Sequence, residues 1–129
     1  MSDLDGLLGS LEQEVLEVLW AQAVPCDVAT VRAGCNERRA GEPLAYTTVM
    51  TVLSRLHDKR LVDRERVGRG YRYTARFDRP ALVDHLGGQE VQRVLERYGA
   101  VALAHFAAAL EDADPALLER LRALEDDDA

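Results

Sequence analysis

Apolar residues return along this chain at helical intervals, and the places where that rhythm breaks divide it into elements. Val15, Leu16, Leu19 and Trp20 form a first stripe, the spacing of a helix that buries one face. Ser10 with Gln13 matches a capping box at its start, and Pro25 ends the connection that follows. A second helix, starting near Asp27, turns Val28, Val31 and Cys35 inward and Arg32, Arg38 and Arg39 outward. After the loop Gly41-Glu42-Pro43 comes a third, over 44–59, whose core stripe reads Tyr46, Val49, Leu53 and Leu56.

The other face of that third helix has a distinctive chemistry. It carries Thr47, Thr48, Thr51, Ser54 and Arg55, whereas a merely solvated face is normally built from Glu and Lys, which are better helix formers than Thr. Short hydroxyls let a helix sink into a groove and meet bases and phosphates. Thr47, Thr48, Thr51 and Arg55 are therefore candidate DNA contacts, and Tyr46 at the helix start is counted with them.

A hairpin follows at once. Residues 61–66 are answered by the strand formers of 71–75, and Val67-Gly68-Arg69-Gly70 supplies two glycines for positive φ at the turn. Arg64, Arg66, Arg69, Arg72 and Arg76 all sit on this short segment. An exposed hairpin with ordinary solvated charges is the plainer reading. Arginines beside a threonine-rich helix favour phosphate contact instead, because a guanidinium binds phosphate through two N–H groups. Arg69 and Arg72 are the candidate contacts. The glycine pair does not read as a nucleotide loop, since no helix follows it. Three helices and then a hairpin is the order of a winged helix-turn-helix.

Beyond Phe77 the pattern changes. Pro80 suits a first helical turn, and Leu82, Val83 and Leu86 follow before Gly87-Gly88 is expected to interrupt the helix. Val91, Val94, Leu95 and Tyr98 resume the spacing, Val101, Leu103, Phe106 and Leu110 continue it past Gly99, and Asp114-Pro115 opens a last helix bearing Leu117, Leu118, Leu121 and Leu124. So few residues cannot bury these stripes alone. A second copy of the chain is the simplest partner; the alternative is helices folded back on the winged part. Leu95, Tyr98, Phe106, Leu110, Leu117 and Leu121 are the candidate dimer contacts. The expected architecture is mainly α with a small β-wing: a winged-helix DNA-binding domain over 1–78 and helical dimerisation over 79–129.

Composition sharpens this picture in two places. With 47% hydrophobic residues but only 5% aromatic, Leu, Val and Ala must fill the core. The formal net charge of −7 looks wrong for a DNA binder until it is resolved along the chain. Residues 26–79 hold 12 Lys/Arg against 7 Asp/Glu, whereas 1–25 hold 5 acids and no Lys/Arg, and 80–129 hold 4 bases against 11 acids. A polyanion meets the local face, not the total. Cys26 and Cys35 form no CxxC pair, so free thiols in a reducing cytosol are expected, with no metal and no cofactor. The N-terminus lacks the basic, apolar, small-residue order of a signal peptide, and the longest uncharged run, 98–110, is too short to cross a bilayer. A cytoplasmic protein without membrane insertion is expected.

Three runs resemble the penicillinase-repressor family, winged-helix repressors of β-lactam resistance with a copper-responsive branch. They are Leu11-Glu12-Gln13-Glu14-Val15-Leu16 with Leu19-Trp20, Ala45-Tyr46-Thr47-Thr48-Val49-Met50-Thr51-Val52-Leu53, and Gly68-Arg69-Gly70-Tyr71-Arg72-Tyr73. The resemblance implies a homodimer whose winged domains bind inverted-repeat operators on double-stranded DNA and whose C-terminal helices dimerise. It also implies repression that ends when a membrane sensor-protease system triggers cleavage in the dimerisation helices. In the family the cut precedes a Phe, usually after Asn; here His105-Phe106 occupies that place. The copper branch carries paired cysteines near its C-terminus, and this chain has none there.

Other functions fit these residues less well. His57, His85 and His105 lie far apart, without HExxH or comparable spacing, so no catalytic set can be assembled and an enzyme is not expected. A winged-helix protein-interaction module would present the threonine face to protein, against the excess of arginine in the centre of the chain. A ligand-responsive winged-helix repressor would need an effector pocket, for which the sparse aromatics offer little.

Overall fold

The computed structural model describes residues 3–112 and 114–127, the side chains at 117, 121 and 124–127 excepted. The elements run α1 Ser10–Gln22, α2 Val28–Arg38, α3 Tyr46–Asp58, β1 Val62–Val67, β2 Gly70–Ala75, α4 Arg79–Tyr98, α5 Ala100–Glu111 and α6 Pro115–Asp127. Three helices and a hairpin make a winged helix-turn-helix, followed by further helices.

Gly9, not Ser10, caps α1. Glu12 Oε1 accepts the Gly9 N–H at 3.2 Å, so Ser10 is already helical. Gln13 closes no capping box; its amide donates to Asp5 Oδ1 and the Leu8 carbonyl, tying the N-terminal turn to the helix. The start of α2 is as its sequence implies. Asp27 Oδ1 accepts the Thr30 N–H at 2.8 Å, a cap contributing about 1 kcal/mol.

Gly34 lies inside α2, where glycine costs about 1 kcal/mol relative to alanine. Its reason is the contact with α1: a Cβ there would stand 2.6 Å from Val18 Cγ1, and Val18 is buried and branched. Overpacking costs about 1–3 kcal/mol and the helix gains about 1 kcal/mol from alanine, so Gly34→Ala should destabilise the fold by up to about 2 kcal/mol. A lower urea midpoint at unchanged m-value is the expected reading.

The hairpin pairs Val62 with Ala75 through to Val67 with Gly70. That register leaves Gly68-Arg69 as a two-residue loop. Only Gly68 of the two wing glycines has positive φ, at +62°, the pattern a type II′ turn requires. Gly70 is an ordinary strand residue, contrary to the expectation from sequence. An isolated antiparallel bridge ties the α1–α2 connection to this two-stranded sheet: Cys26 N–H donates to the Tyr73 carbonyl at 2.9 Å, and Tyr73 N–H to the Cys26 carbonyl at 2.8 Å.

The core gathers Val15, Leu16, Val18 and Leu19 of α1, Val28, Val31 and Cys35 of α2, Val49, Val52, Leu53 and Leu56 of α3, and Leu61, Val62 and Tyr73 at the wing base. Leu4, Leu8 and Leu82 complete it. Val52 takes the inward place expected of Tyr46, which is 46% exposed. Residues 49, 52, 53 and 56 are the i, i+3, i+4, i+7 set of one helical face, and Tyr46, in the first turn, overhangs it. Trp20 is half-buried, and its indole N–H donates to the Phe77 carbonyl at 2.8 Å. Arg79 lies over the Trp20 ring and pairs with Asp3 and Glu17. These contacts hold the exit from the wing against α1.

α4 runs unbroken through Gly87-Gly88, which corrects the expected interruption. Two interior glycines cost about 1 kcal/mol each, too little to break a helix whose flanks favour it. The chain nevertheless divides after Gly87 into two compact units. In the second, Gly99 at φ +54° separates α4 from α5, and Asp114 Oδ1 accepts the Ala116 N–H at the start of α6. Every buried hydrophobic residue of the core lies at or before Leu82. Among the described side chains of the second unit none is buried, and Val91, Val94, Tyr98, Val101, Leu103 and Phe106 are exposed. Among the described residues no helix is long and apolar enough to cross a membrane.

Candidate nucleic-acid interface

No side chain caps α3 at Ala45. The entry is held from α2 instead. Asn36 Oδ1 accepts the Leu44 N–H at 2.7 Å while its Nδ2 donates to the Leu44 carbonyl at 3.3 Å, and Arg32 Nε donates to the same carbonyl at 3.0 Å. A carboxamide offers donor and acceptor together, as a paired backbone does. At the far end Lys59 Nζ donates to both Glu12 oxygens, at 3.0 and 2.8 Å. The buried face of α3 and these two ties fix which side of the helix is turned out.

On that side Thr47, Thr51 and Arg55 are exposed, while Thr48 and Ser54 are half-buried at its margins. The Thr51 hydroxyl donates to the Thr47 carbonyl at 2.9 Å. Its proton is thereby spent within the helix, leaving oxygen lone pairs and a methyl to meet a ligand. Met50 is 42% exposed and lies between the threonine stripe and the wing, a residue that its sequence position marks as neither core nor polar.

A groove of about 510 Å³ runs between Tyr46 and Met50 of α3, Val28 and Ala29 of α2, and the wing residues Val67, Arg69, Gly70, Tyr71, Arg72 and Tyr73. It brings Tyr46, Arg69 and Arg72 together; Thr47, Thr48, Thr51 and Arg55 lie on the helix outside it. Asp27, at the α2 end, is held below the usual carboxylate range by its hydrogen bonds to Thr30, with the Arg72 charge adding to the effect.

The five hairpin arginines do not act as one patch. The register places Arg64 and Arg66 opposite Tyr73 and Tyr71 on one face of the ribbon. There the guanidinium carbons stand 4.2 and 5.8 Å from the Tyr71 ring centre, in cation–π contact. Arg72 stands on the other face opposite Glu65, Arg69 is in the turn, and Arg76 follows β2 at the base, near Asp58 and Asp63. The period-two alternation of a strand was the signal that separates them.

Cys26 and Cys35 are free and buried, and burial pushes both thiols up, away from the reactive thiolate. His85 stacks on Phe77 at 4.7 Å between ring centres. Among the described residues no three His, Cys, Asp or Glu side chains gather as metal ligands would.

Within the second unit a shallow apolar groove of about 370 Å³ lies between α4 and α5. Leu95, His105 and Phe106 line it with Val91, Val94 and Ala102. Tyr98 is exposed and Leu110 half-buried. The side chains of Leu117 and Leu121 lie outside the described residues, although α6 itself is placed. The His105-Phe106 peptide is in the middle of α5.

Comparison with known proteins agrees with this architecture. The chain is 45% identical over 76 residues to the transcriptional regulator BlaI of Mycobacterium tuberculosis, in strains CDC 1551 / Oshkosh and H37Rv, a match covering 59% of this chain. It spans about half, 53%, of the length of those curated relatives. Among solved structures, the Bordetella bronchiseptica protein BpsR, whose DNA binding is regulated by 6-hydroxynicotinic acid, aligns over 84% of this chain and 80% of its own at TM-score 0.50 and 20% identity. A MarR-family transcriptional regulator from Rhodococcus sp. RHA1 aligns over 84% and 76% at TM-score 0.50 and 18% identity. These two show a shared fold. The family model described as penicillinase repressor matches residues 8–126, and the chain belongs to that family, one of transcriptional repressors rather than enzymes.

Proposed function

We propose that this chain is a dimeric transcriptional repressor that sets α3 into the major groove of an inverted-repeat operator and lays its wing on the adjacent backbone. The observation that carries the reading is the exposed Thr47, Thr51 and Arg55 stripe beside a hairpin bearing Arg69 and Arg72. Thr48 and Tyr46 flank the stripe on its two sides. Family membership and the BlaI relatives support the same role. Residues 1–78 act as the DNA reader and 79–129 as the dimerisation part, through Leu95, Tyr98, Phe106, Leu110, Leu117 and Leu121. The second copy covers the apolar residues that one chain leaves open. Signal-dependent cleavage by a membrane sensor-protease system at His105-Phe106 would end repression by cutting α5, with the protein acting in the cytoplasm.

Footprinting of nearby promoters followed by titration across a salt series tests this. A protected inverted repeat with a steep salt slope supports it; a protein that prefers no DNA sequence would leave the interaction-module reading standing. The wing supplies charge rather than sequence choice. Arg69→Ala or Arg72→Ala should lower affinity on all sequences alike and flatten the salt slope by about 0.9 for each phosphate no longer neutralised. A variant that lost specificity but kept its slope would show that the wing reads bases.

A further inference from the structure

Met50 has no structural reason to be a methionine. The core face of α3 is complete without it, with Val49, Val52, Leu53 and Leu56 all buried. At 42% exposure its thioether stands where a solvated helix would carry a charge. Its neighbours on the outward face narrow what it could meet. Thr51 has spent its hydroxyl proton on the Thr47 carbonyl, so it offers a methyl and an acceptor. No Asn or Gln lies on α3, so the bidentate amide contact that selects adenine is lacking. Arg55 is the one Lys or Arg of α3, and Lys59 just after it is held by Glu12; Tyr46, Thr47, Thr48 and Ser54 add single hydroxyls. Beside that guanidinium and those single hydroxyls, Met50 adds an apolar contact, and in the major groove the one apolar group on a base edge is the 5-methyl of thymine.

Resting on the DNA-binding reading above, we propose that Met50 packs on a thymine 5-methyl group in each operator half-site and is a specificity-determining residue of this repressor. Its flexible, polarisable side chain adapts to a methyl approached from the helix flank. The tie from Asn36 and Arg32 to Leu44 sets the helix entry and so the depth at which Met50 arrives.

Full-length protein would be used to select 24-base-pair duplexes (roughly two half-sites, each about one helical turn) from a random pool. Each thymine of the winning duplex is then replaced singly by deoxyuridine, which removes the methyl and leaves the hydrogen-bonding edge unchanged. One thymine per half-site should lose about threefold to fivefold in affinity, the worth of one buried methyl. Met50→Ala should bind the thymine and uracil duplexes equally at that position, and Met50→Leu should restore most of the difference. Because Met50 is exposed, both variants keep the fold. An unchanged thymine-to-uracil ratio in Met50→Ala, or no thymine with such an effect, overturns the assignment while DNA binding stands. Failure to enrich any duplex overturns the DNA-binding reading, and this one with it.

Discussion

Arg55→Ala should weaken operator binding by about 1–3 kcal/mol, roughly 5- to 150-fold, while the protein melts as the parent does. Arg55 is exposed on the outward face of α3, and its side chain forms no ion pair among the described residues. Its removal therefore takes little from the folded monomer. On DNA the balance differs, because a guanidinium supplies a planar fork of donors to guanine or phosphate. Arg55→Lys separates the two targets. A lysine keeps the charge and most of a phosphate contact, but gives up the bidentate match to a guanine edge. Recovery by lysine would place Arg55 on the backbone; continued weakening confined to one base pair would place it on guanine. A folded Arg55→Ala protein with parental affinity would remove α3 from the groove.

What the sequence revealed and what it hid divide by the range of the interactions. The start of α2 near Asp27 and the inward set Val28, Val31 and Cys35 are decided within a few residues, and they were legible. The hairpin was legible for the same reason, though its register and hence the positive φ of Gly68 alone depended on the pairing itself. Leu4 and Leu8 stand in helical phase with Leu11 and Val15 but were not read as core, and a short turn rather than α1 itself carries them inward. The Trp20 bond to Phe77 spans 57 residues, and no local pattern encodes it. Tyr46 misled because a helical stripe continues in sequence past the point where the core ends in space. Gly87-Gly88 misled in the opposite sense, since a local preference worth about 2 kcal/mol in all was overridden by its flanks. In the candidate site the threonine face was visible as composition. The spent proton of Thr51 and the arginines stacked on Tyr71 were not, because they depend on rotamers and on strand faces.

On the dimeric reading proposed above, breaking the C-terminal interface should lower operator affinity by about 10²- to 10⁴-fold with the proposed DNA contacts intact. A monomer carries one reader, and a two-fold dimer presents two to an inverted repeat. Once the first half-site is bound, the second contact is intramolecular and occurs at a high effective concentration. The winged unit can part from its partner without unfolding, because its core closes at or before Leu82. The second unit leaves Val91, Val94, Tyr98, Val101, Leu103 and Phe106 open. Phe106→Asp is the sharpest test. At 59% exposure the side chain is dispensable to the monomer, whereas in an apolar interface an unpaired carboxylate costs several kcal/mol. Sedimentation should show monomers at concentrations where the parent is dimeric, and operator titration should show the steep fall in affinity. A chain ending at Tyr98, or one cut between His105 and Phe106, should behave alike, which is how a single proteolytic event could switch repression off. A stable dimer with full operator affinity in the chain ending at Tyr98 would place the interface elsewhere.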